Sequence, residues 1–379
     1  MTAIPSSPVA LVVGAFGQDN PGDEALLDAS VAAVRALGWT PLVVTSRPAE
    51  TAARLRVDTV PATAVATAGA ARRASALVVG GGTLFKELHP ASGRSPGSLL
   101  RRATGLTGAF QARGRPVALI GVGADEIRHP TTRRLARSLA RRADLLVLRD
   151  VASAALLSDM GVPAPLRVGA DLAWLTLDPV GRALGAGAPS PIGVAISHLA
   201  GDRGLLDRLA DGLRPLASRG HPIEIEPWQG SRRLGPDGRA AAHLARALGD
   251  GASVVQPPHD LTEAAARSAT RGAVVALRFH AAVAAAAAGT PFVGVAHEPK
   301  LGALAVRLGQ PQLAVDDPSA AVTAAVDRAL LGDGPEPEAV AAERRRAEAT
   351  VELLGVLLGG TGEAHRLVDL DLVPEPTPA

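Results

Sequence analysis

Short, wholly apolar runs recur along this chain, each followed by an Ala-, Arg- and Leu-rich segment of helical length. That alternation restricts the fold more than any other feature. Residues 9–13, 42–45, 76–79, 117–121 and 145–148 lack polar alternation, the pattern of parallel strands covered on both faces. Helices are expected at 23–37, 95–111, 130–143 and 152–160. A stretch rich in Gly, Pro and Ala at 178–191 has no periodicity and reads as a linker. The alternation then restarts, with strands expected at 192–197, 223–226, 253–255, 273–277 and 292–295. Helices are expected between and after them at 202–218, 238–248, 262–268, 281–288 and 301–308, with a last long one near 337–358. The expected organisation is an N-terminal α/β domain over 1–178, a linker over 179–191 and a second α/β domain over 192–335. A helix over 336–360 that packs back on the first domain and a tail over 361–379, disordered over 373–379, complete it.

Composition removes several classes of function. At 379 residues there is room for two cores. No cysteine is present, so disulfides, thiolate metal sites and thiol nucleophiles are excluded. No apolar run is long enough for a membrane span, and the N-terminus lacks the basic segment of a signal peptide, so a cytoplasmic location is expected. Net charge is only +2, arginine pairs are spread along the chain and there is no tyrosine, which argues against a nucleic-acid partner.

The polar residues that follow the strands carry the chemistry. In open α/β sheets, ligands bind beyond the carboxyl ends of the strands. After the first strand comes Gly14-Ala-Phe-Gly17-Gln-Asp-Asn20-Pro-Gly22-Asp23-Glu24. Asn20 and Asp23 serve there either as a substrate site or as the cap of a strand–turn–helix corner, and the density of polar groups favours a site. Gly80-Gly81-Gly82 follows the third strand and marks close backbone approach. Lys86 just beyond it is one of only two lysines in the chain, the other being Lys300. The turn around Gly121–Glu126 reads as structural. Arg149, beside Asp150, fits an ion pair at the domain boundary and a substrate-facing cation equally well. In the second half His198, Gln229 and His259 each follow a strand, with His259 read as structural. Arg278-Phe279-His280 opens a helix directly after a strand: arginine is suited to bidentate carboxylate or phosphate binding and histidine to proton transfer near neutrality. His297-Glu298-Pro299-Lys300 follows the next strand.

Taken in order over about residues 12–309, these pieces resemble the polysaccharide pyruvyl transferase family. The matching pieces are Gly14–Glu24, Gly80–Leu84, Leu148–Ser153, Ala170-Asp171, Trp228-Gln229 with Asp237, Arg278–His280 and Glu298-Pro299-Lys300. The resemblance implies two Rossmann-like domains facing across a cleft, in the manner of glycosyltransferase-B folds, with the acceptor on the N-terminal side and the donor on the C-terminal side. It implies transfer of the enolpyruvyl-derived group of phosphoenolpyruvate to two hydroxyls of a sugar, giving a cyclic ketal and phosphate. Arg278 and His280 would then be the catalytic pair. Asn20, Asp23, Gly81, Gly82, Lys86, Arg149, His198, Gln229, Glu298 and Lys300 would bind substrate. No metal and no cofactor beyond the donor are expected. The acceptor would be a saccharide, a lipid-linked sugar or a small hydroxylated molecule.

Two departures stand out. Family members usually carry Tyr-Asp-Pro-Lys where this chain has His297-Glu298-Pro299-Lys300, and often an arginine in place of His198. Both bear on the acceptor more than on the donor. The competing reading is a glycosyltransferase of the same architecture that uses a nucleotide sugar, which would leave Arg278-Phe279-His280 unexplained. The sequence leaves open the acceptor, the reacting hydroxyls and the oligomeric state, a homo-oligomer included.

Overall fold

The computed structural model describes residues 7–88, 93–163, 166–184, 189–198, 203–229 and 236–359. Contacts divide the chain into two compact units. The first holds the chain up to Gly17, Leu26–Leu172 and the residues from Glu343 on; the second holds Gln18–Ala25 and Ala173–Ala342.

The first unit is built from β1 (Val9–Val13), α1 (Pro21–Ala36, whose first turn groups with the second unit), β2 (Thr40–Thr45), α2 (Pro48–Leu55), β3 (Asp58–Pro61), α3 (Ala64–Arg73) and β4 (Ala76–Gly80). It continues through β5 (Thr83–Phe85), α4 (Ser98–Gln111), β6 (Val117–Ala124), α5 (Pro130–Arg142), β7 (Leu145–Leu148), α6 (Val151–Asp159) and β8 (Arg167–Val168). The strands are parallel, in the order β3-β2-β1-β4-β6-β7-β8. Register aligns apolar residues across the sheet, with Leu11 beside Leu42 and Leu77, and Ile120 beside Val147. Burial of β4 and β6 along their whole length explains their unbroken apolar sequences. The register of β6 against β7 shifts between Ile120 and Val122, and the far end of β6 pairs with β5, Gly123 opposite Thr83.

The second unit holds β9 (Ile192–Ile196), α7 (Arg203–Ser218), β10 (Ile223–Pro227), α8 (Pro236–Leu248), β11 (Ala252–Val254), α9 (Leu261–Ala269), β12 (Ala273–Ala276) and α10 (Phe279–Ala287). It then runs through β13 (Phe292–Val295), α11 (Pro299–Arg307), β14 (Gln312–Leu313) and α12 (Ser319–Leu331). Its sheet is also parallel, in the order β11-β10-β9-β12-β13-β14, over a core of Val194, Ile196, Leu209, Ile225, Val275 and Val293. The stretch read as a linker is hydrogen-bonded along this unit, Val180 N–H to Ala287 O at 3.2 Å and Ala183 N–H to Ala269 O at 2.8 Å. The last helix, α13 (Pro337–Gly359), starts in the second unit, and from Glu343 it belongs to the first. There Thr350 lies against Gly169, and Leu37 against Gly355. The expected tail lies outside the described residues.

Local chemistry sets the helix starts. Proline opens α1, α2, α5, α8, α11 and α13, where its fixed φ suits the first turn and its missing N–H costs nothing. Asp150 and Asp260 cap α6 and α9 by accepting from Ser153 N–H (2.7 Å) and Glu263 N–H (2.8 Å).

Candidate active site

In each sheet the strand order reverses direction at one point, and the crevice outside the strand ends there is where an open α/β sheet binds ligands. In the first unit that point lies between β1 and β4; in the second it lies between β9 and β12. Asn20 and Asp23 follow β1, Gly81 and Gly82 follow β4, His198 follows β9, and Arg278 and His280 follow β12; Lys86, Arg149, Gln229, Glu298 and Lys300 follow other strands.

In the second unit the reversal point is occupied by a single network. Arg278 is the residue before α10 and reaches back across the sheet, its Nε 3.4 Å from the Ile196 carbonyl at the end of β9. Its Nη2 donates to both oxygens of Asp237, at 2.8 and 2.7 Å, and to Gln229 Oε1 at 3.2 Å. Asp237 is fully buried and also accepts from His198 N–H, His198 Nδ1 (2.6 Å), Trp228 N–H and Gln229 N–H. One carboxylate therefore ties together the ends of β9 and β10 and the start of α10. Burial alone would raise its pKa. The hydrogen bond from His198 and the charge of Arg278 outweigh that and hold it at about 2. Asp237 entered the sequence argument only as a piece of the resemblance, without a role. In the first turn of α8 it looks like any helix-start acid, so its local pattern hides it.

The residue after Phe279 sits deeper than a surface base would. His280 is 9 % exposed and stands edge-on to the Phe279 ring at 5.4 Å. Phe279 is itself buried. A Cβ on Gly22, in the part of α1 that belongs to this unit, would lie 1.9 Å from His280 Nδ1. The glycine is what lets the helix start approach the imidazole. In the same turn Asn20 accepts from Gly22 N–H (3.1 Å) and donates to Asp23 Oδ2 (2.8 Å), a cap that fixes both candidate residues.

The third cluster of this unit follows β13. Lys300 is buried and pairs with Glu298 at 2.9 Å. His297 Nδ1 lies 3.2 Å from the Val295 carbonyl, and its Nε2 is buried with no hydrogen-bond partner among the described residues. Burial, the largest influence, lowers the His297 pKa; Glu298 opposes this, while Lys300 and Arg278 add to it. Arg278 and Lys300 are thus each within electrostatic reach of His297.

In the first unit Gly81 and Gly82 have φ of +67° and +74°, a conformation that requires glycine, and they turn the chain from β4 into β5. Lys86 is half-buried just beyond. Of the two readings open for Arg149, the geometry shows the ion pair. The residue is 3 % exposed, with Nε to Asp150 (3.2 Å), Nη1 to Asp171 (3.4 Å) and Nη2 to Thr83 (3.0 Å). It joins β5, β7 and the segment after β8 instead of presenting a free cation. Asp125, read from sequence as part of a structural turn, follows β6, and its Oδ1 is buried without a hydrogen bond among the described residues. His129 and His259 are exposed. Among the described residues no group of three or more histidines and acids is placed to hold a metal ion.

The fold is similar to a glycosyltransferase from Rickettsia africae ESF-5, at 11% identity and a TM-score of 0.59, over 97% of this chain and 100% of that one. It is similar to the UDP-GlcNAc 2-epimerase from Methanocaldococcus jannaschii, at 10% identity and a TM-score of 0.61, over 93% of this chain and 100% of that one. A third structure, Anabaena Alr3699/HepE in complex with UDP and glucose, shares 13% identity at a TM-score of 0.57, over 91% of this chain and 95% of that one. At such identities the likeness is one of fold, two Rossmann-like α/β domains of the glycosyltransferase-B kind. No curated protein matches the sequence. The polysaccharide pyruvyl transferase family matches residues 20–299, a span that runs from the cap of α1 to the start of α11, takes in Asp237, Arg278, His280, His297 and Glu298, and stops one residue short of Lys300. By that match the chain belongs to the polysaccharide pyruvyl transferase family.

Proposed function

We propose that this protein moves the enolpyruvyl-derived group of phosphoenolpyruvate onto two hydroxyls of a sugar or sugar-like acceptor, forming a ketal and releasing phosphate. The observation that carries this reading is the placing of Arg278 and His280 at the reversal point of the second sheet, with Arg278 anchored on Asp237. A guanidinium held on one side by a buried carboxylate keeps a fixed direction, which suits an anion with two negative groups. Lys300, paired with Glu298 beside it, adds a second cation for the carboxylate or phosphate of the donor.

The reaction needs one proton delivered to the methylene carbon of the donor and two protons removed from the acceptor hydroxyls. Protonation leaves positive character at C2, a hydroxyl adds there, phosphate departs with the other proton, and the second hydroxyl closes the ketal. His280 is the residue we assign to proton transfer at the methylene carbon. Arg278 and Lys300 offset the charge on the departing phosphate. His198 and Gln229, tied to Asp237, frame the same strand ends. Gly81, Gly82, Lys86, Asn20 and Asp23 are proposed for the acceptor.

Mass spectrometry of acceptor libraries incubated with phosphoenolpyruvate tests the reading. A pyruvyl ketal adduct accompanied by free phosphate supports it. In a parallel thermal-shift titration, stabilisation by uridine or guanosine diphosphate but not by phosphoenolpyruvate would move the assignment to a nucleotide-sugar glycosyltransferase.

A further inference from the structure

Charge is not spread evenly along this chain. Between Arg94 and Arg142 there are eleven arginines and two acids, a local balance of +9 in a protein whose total is +2. All of this segment lies in the first unit, and its two helices, α4 and α5, carry no acid at all. On α5 the residues Arg134, Arg137 and Arg141 recur at intervals of three and four, which puts them in one stripe about 10 Å long. None of the three takes part in an ion pair among the described residues. With Ser138 and Arg142 they line a groove of about 580 Å³. The opposite face of α5 is buried through Thr132, Ala136, Leu139 and Ala140.

We infer that this arginine stripe is a docking surface for an anionic phospholipid bilayer. Arg141, in the last turn of α5, complements the helix dipole, but arginines left without acids beside them on a folded surface repel one another, and the row suits an external array of phosphates. The helix has one face in the core and presents a row of guanidinium groups on the other. The aromatic residue on α4 and α5, Phe110, is 1 % exposed, so bases find no stacking platform there. Neither helix contributes a large exposed apolar residue, and no helix of the described residues is long and apolar enough to cross a membrane. Binding would therefore be electrostatic adsorption to headgroups, without insertion.

The test is co-sedimentation of the full chain with vesicles, and it needs neither donor nor acceptor, so its failure leaves the pyruvyl-transfer reading untouched. The protein should partition onto phosphatidylglycerol-containing vesicles at low salt, and should leave pure phosphatidylcholine vesicles bare. Binding should weaken steeply as salt rises. At about five-fold per arginine, the triple variant Arg134→Gln, Arg137→Gln, Arg141→Gln should lose on the order of 100-fold in partitioning. The matching triple lysine variant should bind nearly as well as the parent, which separates lost charge from lost folding. Equal partitioning of the parent and the glutamine variant, or no partitioning onto anionic vesicles, would overturn the inference. So would displacement from vesicles by duplex DNA at a matched phosphate concentration, which would mark the face as a nucleic-acid site.

Discussion

Replacing Asp237 with Asn removes one charge from the centre of the second-unit network and leaves its shape. The carboxylate is held at about 2 against an ordinary value of 3.8. A depressed carboxyl pKa means that the folded state prefers the ionised form, so the stabilisation is complete well above pH 3.8 and fades as pH falls towards 2. The difference corresponds to about 2 kcal/mol at neutral pH, of which about 1 kcal/mol is already gone at pH 3. The Asn amide would also point an N–H at the Trp228 and Gln229 N–H groups or at Arg278, all of them donors to the carboxylate. The expected cost at pH 7 is therefore about 3 kcal/mol, towards the range for breaking a buried ion pair. Urea unfolding followed by tryptophan fluorescence would measure it, because Trp228 lies within the network, its backbone on Asp237 and its indole on Glu226 at 3.0 Å. The gap between parent and variant should narrow from pH 7 to pH 3. A gap below about 0.5 kcal/mol at pH 7, or one that stays constant over that range, would refute the assignment of Asp237 as the anchor of Arg278.

Other expectations follow from the same geometry. Gly22→Ala places a methyl against His280 and should cost about 1–3 kcal/mol in thermal unfolding while reducing phosphate release from phosphoenolpyruvate; a variant with parental stability and turnover would show that the imidazole moves aside freely. Arg149→Met leaves Asp150 and Asp171 buried without their cation and should cost about 3–5 kcal/mol; near-neutral stability in urea would contradict the buried ion pair. His297, held below its ordinary 6.5 by burial, prefers to be neutral in the fold, so stability should fall as pH drops below about 6.5, and His297→Gln should flatten that part of the pH profile. His280→Gln should abolish phosphate release with a competent acceptor while the far-ultraviolet circular dichroism stays parental, and retained turnover would remove His280 from the proton-transfer role.

Strands buried on both faces were legible because nothing polar interrupts them. β1, β7 and β13 begin and end where their apolar runs do. The elements that escaped are those for which burial is partial. The edge strand β3, Asp58–Pro61, carries exposed ends and shows no apolar run, while α2, α3 and α12 lie in stretches with no strong apolar stripe or with mostly small residues. The site was legible in the same way. Arg278 and His280 stand out because polar groups at the end of a buried strand require a reason. Asp237 and the closure of Arg149 on Thr83, Asp150 and Asp171 depend on side chains 41 to 66 positions apart, or on partners that local pattern cannot choose between. The depth of His280 was hidden too, since it depends on a glycine in α1, far away in sequence.

The route of α13 has a consequence for the order of assembly. Its later half, with Ala347, Thr350, Leu354 and Leu358 buried, completes the first unit, whose sheet is otherwise made entirely from residues before 169. As the chain leaves the ribosome, every strand of that sheet emerges long before the helix that covers it. The second unit, apart from Gln18–Ala25, is one continuous segment and has its whole core in hand by Ala342. The half of the protein made first is thus the half finished last, and until residues 343–359 arrive its apolar surface beside Gly169 and Leu37 stays uncovered.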